Sequence, residues 1–131
     1  CQCLMLRLGG QALDLMLACA EGRLGDMAVN WAEDHAMCVV MAAQGYPGSY
    51  EKGSVIRGLE EMPETSHEMC FHAGTTRRDG QYLANGGRVL GLTARGENLA
   101  EARARAYALV DRVDWPEGFC RRDIGWRAIK R

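Results

Sequence analysis

The sequence predicts an α+β domain: a largely antiparallel sheet with helices packed on it. Three observations carry that class. Residues 36–43, Ala36-Met37-Cys38-Val39-Val40-Met41-Ala42-Ala43, form an unbroken apolar run of strand length, the pattern of a central strand buried on both faces. Asp79-Gly80 separates strand-like segments with a hairpin signal. Asn98 followed by Glu101 matches a capping box, in which the Asn side chain accepts from free backbone N–H groups and Glu reaches back, so a helix starts at Leu99.

The remaining elements follow in order. From Gln11 to Leu24, Leu13, Met16, Leu17 and Ala20 fall at i, i+3, i+4 and i+7, the buried stripe of a helix that Gly22 and Gly25 close. After the central strand, Gly45, Pro47, Gly48 and Gly53 break the chain into a loop around Tyr46 and Tyr50. Val55–Leu59 is a short strand, and residues 60–67 form a solvated loop. Met69–Gly74 and Gln81–Ala84 are two strands connected through Thr75–Gly80, and Arg88–Ala94 is another. In the helix after Asn98, Leu99, Ala102, Ala106, Leu109 and Val113 form the buried stripe, and Trp115-Pro116 ends it. The total is two helices and about five strands.

A chain of 131 residues with 47% hydrophobic side chains has the material for one core. No apolar run reaches the ~20 residues of a membrane helix. The segment Leu4–Leu24 carries Arg7, Asp14, Glu21 and Arg23. The six cysteines show no CxxC pair and no His at zinc-finger spacing, so no metal site is expected, and they read as reduced thiols of a cytoplasmic protein. The net charge of −1 hides an asymmetry. Residues 1–70 hold four basic and ten acidic side chains, and residues 71–131 twelve and seven. All but Lys130 of those twelve are arginine, whose fork suits phosphate, although most arginines simply solvate exposed faces. Aromatics at 7% do not interleave with them, which argues against nucleic acid.

Two segments carry candidate binding groups. In Asn85-Gly86-Gly87-Arg88, paired glycines let backbone N–H groups approach a ligand and Arg88 supplies charge-assisted bonds to phosphate; the same residues also fit a plain hairpin turn with an exposed Arg. In Phe71-His72-Ala73-Gly74-Thr75, His72 stands at a strand end, able to bond substrate or move a proton, or to sit half-buried against backbone. Arg121, Arg122 and Asp123 read as a salt-bridge knot near the chain terminus, with Trp126 adding core area. His35 and His67 read as surface. No Walker loop, HExxH or GxSxG motif occurs, and no catalytic residue is assigned.

Four motifs, Gly45-Tyr46-Pro47-Gly48, Phe71-His72-Ala73-Gly74-Thr75, Asn85-Gly86-Gly87-Arg88-Val89-Leu90 and Asp123-Ile124-Gly125-Trp126-Arg127-Ala128-Ile129, resemble in order and spacing the C-terminal domain of the phosphoribosylamine–glycine ligases, also called glycinamide ribonucleotide synthetases. The stretch Glu60–Glu68 falls in a variable loop of that family, and Asp123-Ile124-Gly125-Trp126 resembles its bacterial monofunctional form. The resemblance implies an ATP-grasp ligase of purine synthesis that joins glycine to 5-phosphoribosylamine with hydrolysis of ATP. It implies that residues 1–30 are the helical tail end of the ATP-grasp domain and residues 31–131 the C-terminal α+β domain. The chain opens on Cys1 inside a helical pattern and lacks the family's Gly-Asp-Pro-Glu segment, so it reads as a fragment, inactive as a ligase alone.

The resemblance further implies ATP and magnesium in the full-length enzyme, held upstream, with neither expected on this fragment. It implies that Gly86, Gly87, Arg88, His72, Gly74 and Thr75 line the substrate cleft, with Arg88 on the 5′-phosphate of phosphoribosylamine. The resemblance implies phosphoribosylamine and glycine as partners, and ATP through the missing lobes, with no nucleic acid and no membrane expected. The alternatives are a non-catalytic module for sugar-phosphate binding or protein interaction, or the same domain of another ATP-grasp carboxylate–amine ligase.

Overall fold

The apolar run at 36–43 is strand β1 (His35–Ala43), in the middle of a four-stranded sheet. A computed structural model describes residues 1–129; Lys130 and Arg131, assigned above to the C-terminal domain, lie outside the described residues. Around β1 stand β2 (Val55–Ile56), β3 (Glu68–His72), β4 (Thr75–Arg78), β5 (Gln81–Ala84), β6 (Arg88–Gly96) and β7 (Gly118–Phe119). They form two sheets, ordered β3-β6-β1-β7 and β2-β5-β4, and every pairing is antiparallel. The helices are α1 (Gln2–Leu8), α2 (Gln11–Ala20), α3 (Leu99–Val110) and α4 (Trp126–Ile129), with a 3₁₀ turn at Leu24–Asp26. This is the predicted α+β class.

The core lies between α3 and one face of the larger sheet. Val39, Leu90, Leu92 and Ala94 meet Ala106, Leu109 and Val110 there, all buried. Burial of each such large apolar side chain is worth about 1.5–3 kcal/mol. The start of α3 is fixed as predicted, since Asn98 Oδ1 accepts from Glu101 N at 2.9 Å. The returning bond from Glu101 goes one residue further back than a capping box requires, to Glu97 N at 2.8 Å.

Five expectations are corrected. Strand β1 is buried on both faces only near its C-terminal end; Val40 is 41% exposed, because the helical cover over its face stops short of it. Thr75–Arg78 is not a connection but strand β4, which pairs with β5 through an Asp79-Gly80 turn with both φ angles positive. The first helical region is two helices bent by 104° at Gly9-Gly10, with φ +56° at Gly9. The stripe on α2 does not pack: Leu13 is 73% exposed and Ala18 is the residue buried. Trp126 adds no core area, at 43% exposed.

On the opposite face of the sheet, α1 covers β6 and β1 in part, with Gln2 over Gly91 beside Cys38. Arg95 anchors this cover. Its Nε lies 2.8 Å from both oxygens of Asp34, and its Nη1 donates to the carbonyls of Leu6 and Ser66. Beyond α1 that face is left open around Val40 and Phe119, both about 40% exposed. Among the described residues no single helix is long and apolar enough to cross a membrane.

Candidate functional site

The open part of this face ends at the start of β6, where Arg88 stands. Between Met41↔Leu90 and Ala42↔Arg88 the register slips by one residue, leaving Val89 as a bulge. The Val89 carbonyl accepts from both Ala73 N and Gly74 N at 3.0 Å, and Asn85 N donates to Gly74 O at 2.7 Å. These bonds stitch residues 73–74 to residues 85–89. The stitching needs bare backbone: a Cβ on Gly74 would stand 2.5 Å from Arg88 O and 3.1 Å from Gly86 Cα. Gly87 is pinned on its other side, where its carbonyl accepts from Ala43 N at 2.8 Å and the Tyr46 ring fills the space a Cβ would take.

The result is a cleft of about 580 Å³ lined by Gln2, Val40, Tyr46, Ala73, Gly86, Gly87, Arg88 and Leu90. A smaller hollow of about 250 Å³ adjoins it, lined by Cys38, Val40, Ala42, Tyr46, Arg88, Phe119, Cys120, Arg121 and Ile124. Val40, Tyr46 and Arg88 line both. Arg88 is exposed and makes no ion pair or side-chain hydrogen bond with the described residues. The N–H groups of Gly86 and Gly87 donate to no backbone carbonyl among the described residues. A cation free of acidic partners beside unpaired backbone donors is the arrangement that holds an anion.

The sequence-predicted residues divide into two groups. Gly86, Gly87 and Arg88 line the cleft, and Gly74 packs directly against Gly86 behind it. His72 and Thr75 are not among its lining residues. They bond each other, Nδ1 to Oγ1 at 2.8 Å, and the His72 ring stacks 5.1 Å from Tyr82 at 31°. His72 is therefore exposed and held by side chains, not half-buried against backbone. Tyr46, Gln2, Val40, Ala73 and Leu90 were not foreseen as lining residues. Tyr46 carried a signal as an aromatic between two glycine breaks directly after the central strand, and Ala73 and Leu90 stand inside two of the quoted motifs.

Other features fit an anion less well. A cleft of about 590 Å³ beyond Ala43 places Lys52 with Glu51 and Glu117, so its rim is net acidic. The Arg121 guanidinium is already engaged by Asp123, at 2.9 and 2.7 Å, and this partner holds the Asp123 carboxyl below the usual carboxylate range. Burial pushes the Cys38 and Cys120 thiols up, which makes both poor nucleophiles near neutral pH. Among the described residues no three His, Cys, Asp or Glu side chains converge to hold a metal ion.

Comparison with known proteins agrees with this architecture. A family model described as phosphoribosylglycinamide synthetase, C domain, matches residues 36–127. The phosphoribosylamine–glycine ligase of Mesorhizobium japonicum is 53% identical over 131 residues, covering 100% of this chain and 31% of that protein. The Arabidopsis thaliana protein, named chloroplastic, is 50% identical over 133 aligned residues, covering 100% of this chain and 25% of that protein. A crystal structure of the phosphoribosylamine–glycine ligase of Thermotoga maritima superposes with a TM-score of 0.67 at 38% identity, over 83% of this chain and 27% of that one. The chain thus spans about a third of the length of the curated relatives it matches. Matched by the family's own model over most of its length, the chain belongs to the phosphoribosylglycinamide synthetase family, in the C domain.

Proposed function

We propose that this chain serves as the C-terminal part of a ligase that joins glycine to 5-phosphoribosylamine, with ATP hydrolysed to ADP and phosphate, and that the Arg88 cleft receives the 5′-phosphate. In this reading residues 1–30 belong to the end of the ATP-grasp domain and residues 31–131 to the C-terminal domain, in the cytoplasm. The relatives' shared name supports the reaction. The observation that carries the site is Arg88, an exposed cation with no acidic partner among the described residues, beside the free N–H groups of Gly86 and Gly87.

The chain's own contribution is binding and orientation. Holding the phosphate at one end fixes where the amine at the other end of the ribose stands, which lowers the entropy cost of its attack. ATP and magnesium would supply activation of the glycine carboxylate. His72 and Thr75, paired with each other, brace the turn behind Gly74 in this proposal.

The test joins this chain to the remaining two-thirds of the Mesorhizobium ligase and measures steady-state kinetics. One charge-assisted bond contributes about 1.5–3 kcal/mol, so Arg88→Ala raises KM for phosphoribosylamine roughly tenfold or more while KM for ATP is unchanged. An unchanged KM for phosphoribosylamine in the variant would sink the assignment.

A further inference from the structure

The Gly45–Gly48 turn enters the site through its aromatic residue, which lines both hollows, but its hydroxyl has been given no role. Tyr46 is held from three directions. Its backbone N–H donates to Ala43 O at 3.1 Å, Gly45 adopts φ +94° to turn the chain, and the ring fills the space over Gly87. The Tyr50 ring closes from the side, 6.4 Å away at 59°. The ring is thereby fixed against the glycine pair that flanks Arg88. Its hydroxyl is different.

The Tyr46 hydroxyl has no hydrogen-bond partner among the described residues, in contrast with the Tyr107 hydroxyl, which donates to Arg121 O at 2.6 Å and accepts from Ile124 N at 3.1 Å. No side-chain nitrogen or oxygen among the described residues is both buried and unpartnered. The free hydroxyl is accordingly open to solvent, on a residue that lines the same two hollows as the unpaired Arg88 guanidinium. The fixed ring carries its unused donor on the same hollows as the unused cation, and a donor on a ring already held loses little side-chain freedom when a ligand arrives.

We infer that Tyr46 is a ligand-contacting residue of this cleft, its hydroxyl donating to the same phosphate that Arg88 holds while its ring locks the Gly86-Gly87 backbone in place. The inference rests on the proposed phosphate site and adds a second donor to it. The chemistry recognised is a phosphate monoester on a small polar body, since the donors lining the cleft among the described residues include the Arg88 guanidinium, the Tyr46 hydroxyl and the two glycine N–H groups.

The test is an NMR titration of the 131-residue chain with ribose 5-phosphate, inorganic phosphate and ribose. Tyr46→Phe keeps the ring over Gly87 and removes only the donor. It is expected to weaken ribose 5-phosphate and inorganic phosphate by the same factor, about fivefold to tenfold, with a spectrum otherwise unchanged. Tyr46→Ala removes the ring as well and is expected to shift the Gly86 and Gly87 amides even without ligand. If Arg88→Ala abolishes binding and Tyr46→Phe leaves it intact, the inference fails and the site stands. A loss in Tyr46→Phe seen with ribose 5-phosphate but not inorganic phosphate also overturns the phosphate contact. A folded wild-type chain that binds neither phosphate overturns the site and the inference together.

Discussion

Gly74→Ala is the sharpest steric perturbation of the stitched turn behind Arg88. The added Cβ would stand 2.5 Å from Arg88 O, 3.1 Å from Gly86 Cα and 3.4 Å from Gly86 N, all backbone atoms with no flexible end to swing away. Ordinary contact begins near 3.4 Å, so residues 74 and 88 must separate by about 0.9 Å. The Gly74 N to Val89 O and Asn85 N to Gly74 O bonds, at 3.0 and 2.7 Å, resist that separation. Overpacking of this kind costs roughly 1–3 kcal/mol. For a chain of this length about 4 °C of Tm is lost per kcal/mol, so thermal unfolding should shift down by roughly 4–12 °C. Phosphate affinity should fall with it, because the displaced atoms carry Arg88. Gly25→Ala is the control, since a Cβ there meets nothing within 4 Å and should leave Tm within about 2 °C. A Gly74→Ala chain with wild-type Tm and wild-type phosphate binding would refute the argument that close backbone approach shapes the cleft.

Three further outcomes are expected. Arg95→Met leaves the largely buried Asp34 carboxylate unpaired and frees the Leu6 and Ser66 carbonyls; with side chains only 15% and 21% exposed, the loss should be about 2–3 kcal/mol, below the ~3–5 of a fully buried pair, read by urea denaturation. Asn98→Ala removes the cap on Glu101 N and should cost about 1 kcal/mol in the same assay, with Asn98→Gly costing only a few tenths. Burial, the nearby Cys38 and Glu64 push the Cys70 thiol from 9.0 up to about 11. The protonated form is favoured on folding, so its contribution is full below pH 9 and lost as pH rises toward 11. Alkylation at pH 8.5 with peptide mapping should therefore label the exposed Cys1 and Cys19 first and Cys70 last, and equal rates would contradict the placement of Cys70.

Much of the architecture was legible because it is written in local chemistry. The run at 36–43, the Asn98 cap and the Asp79-Gly80 turn each signal their element within a few residues. The split into two sheets was not legible, since it depends on β3 choosing β6 over β5 as its neighbour, a pairing across long sequence separations. Strand β4 escaped because Thr75-Thr76-Arg77-Arg78 has no apolar alternation; it is mostly exposed and held by ladder bonds to β5. Strand β7 is two residues long and exists only through Ala42 and Ala43. The α2 stripe had the right period, but nothing among the described residues covers it.

In the candidate site, Gly86, Gly87 and Arg88 stood out as a glycine pair leading into an arginine, a pattern that fits a plain hairpin turn as well as an anion cradle, and all three line one cleft. Tyr46 could not be joined to them from spacing alone, because 41 positions separate it from Gly87 and only the β1–β6 pairing brings the two together. His72 and Thr75 were drawn in by their motif, yet they bond each other, and the His72 ring lies against Tyr82.

The central claim, that Arg88 and the glycine pair hold a phosphate, is tested most directly by titrating the 131-residue chain with glycinamide ribonucleotide and mapping the amide shifts by NMR. The expected result is saturable shifts concentrated at Ala73, Gly86, Gly87 and Arg88 and lost in Arg88→Ala. Saturable shifts centred instead on the acidic cleft around Glu51, Lys52 and Glu117, or no binding by a folded chain, would contradict it.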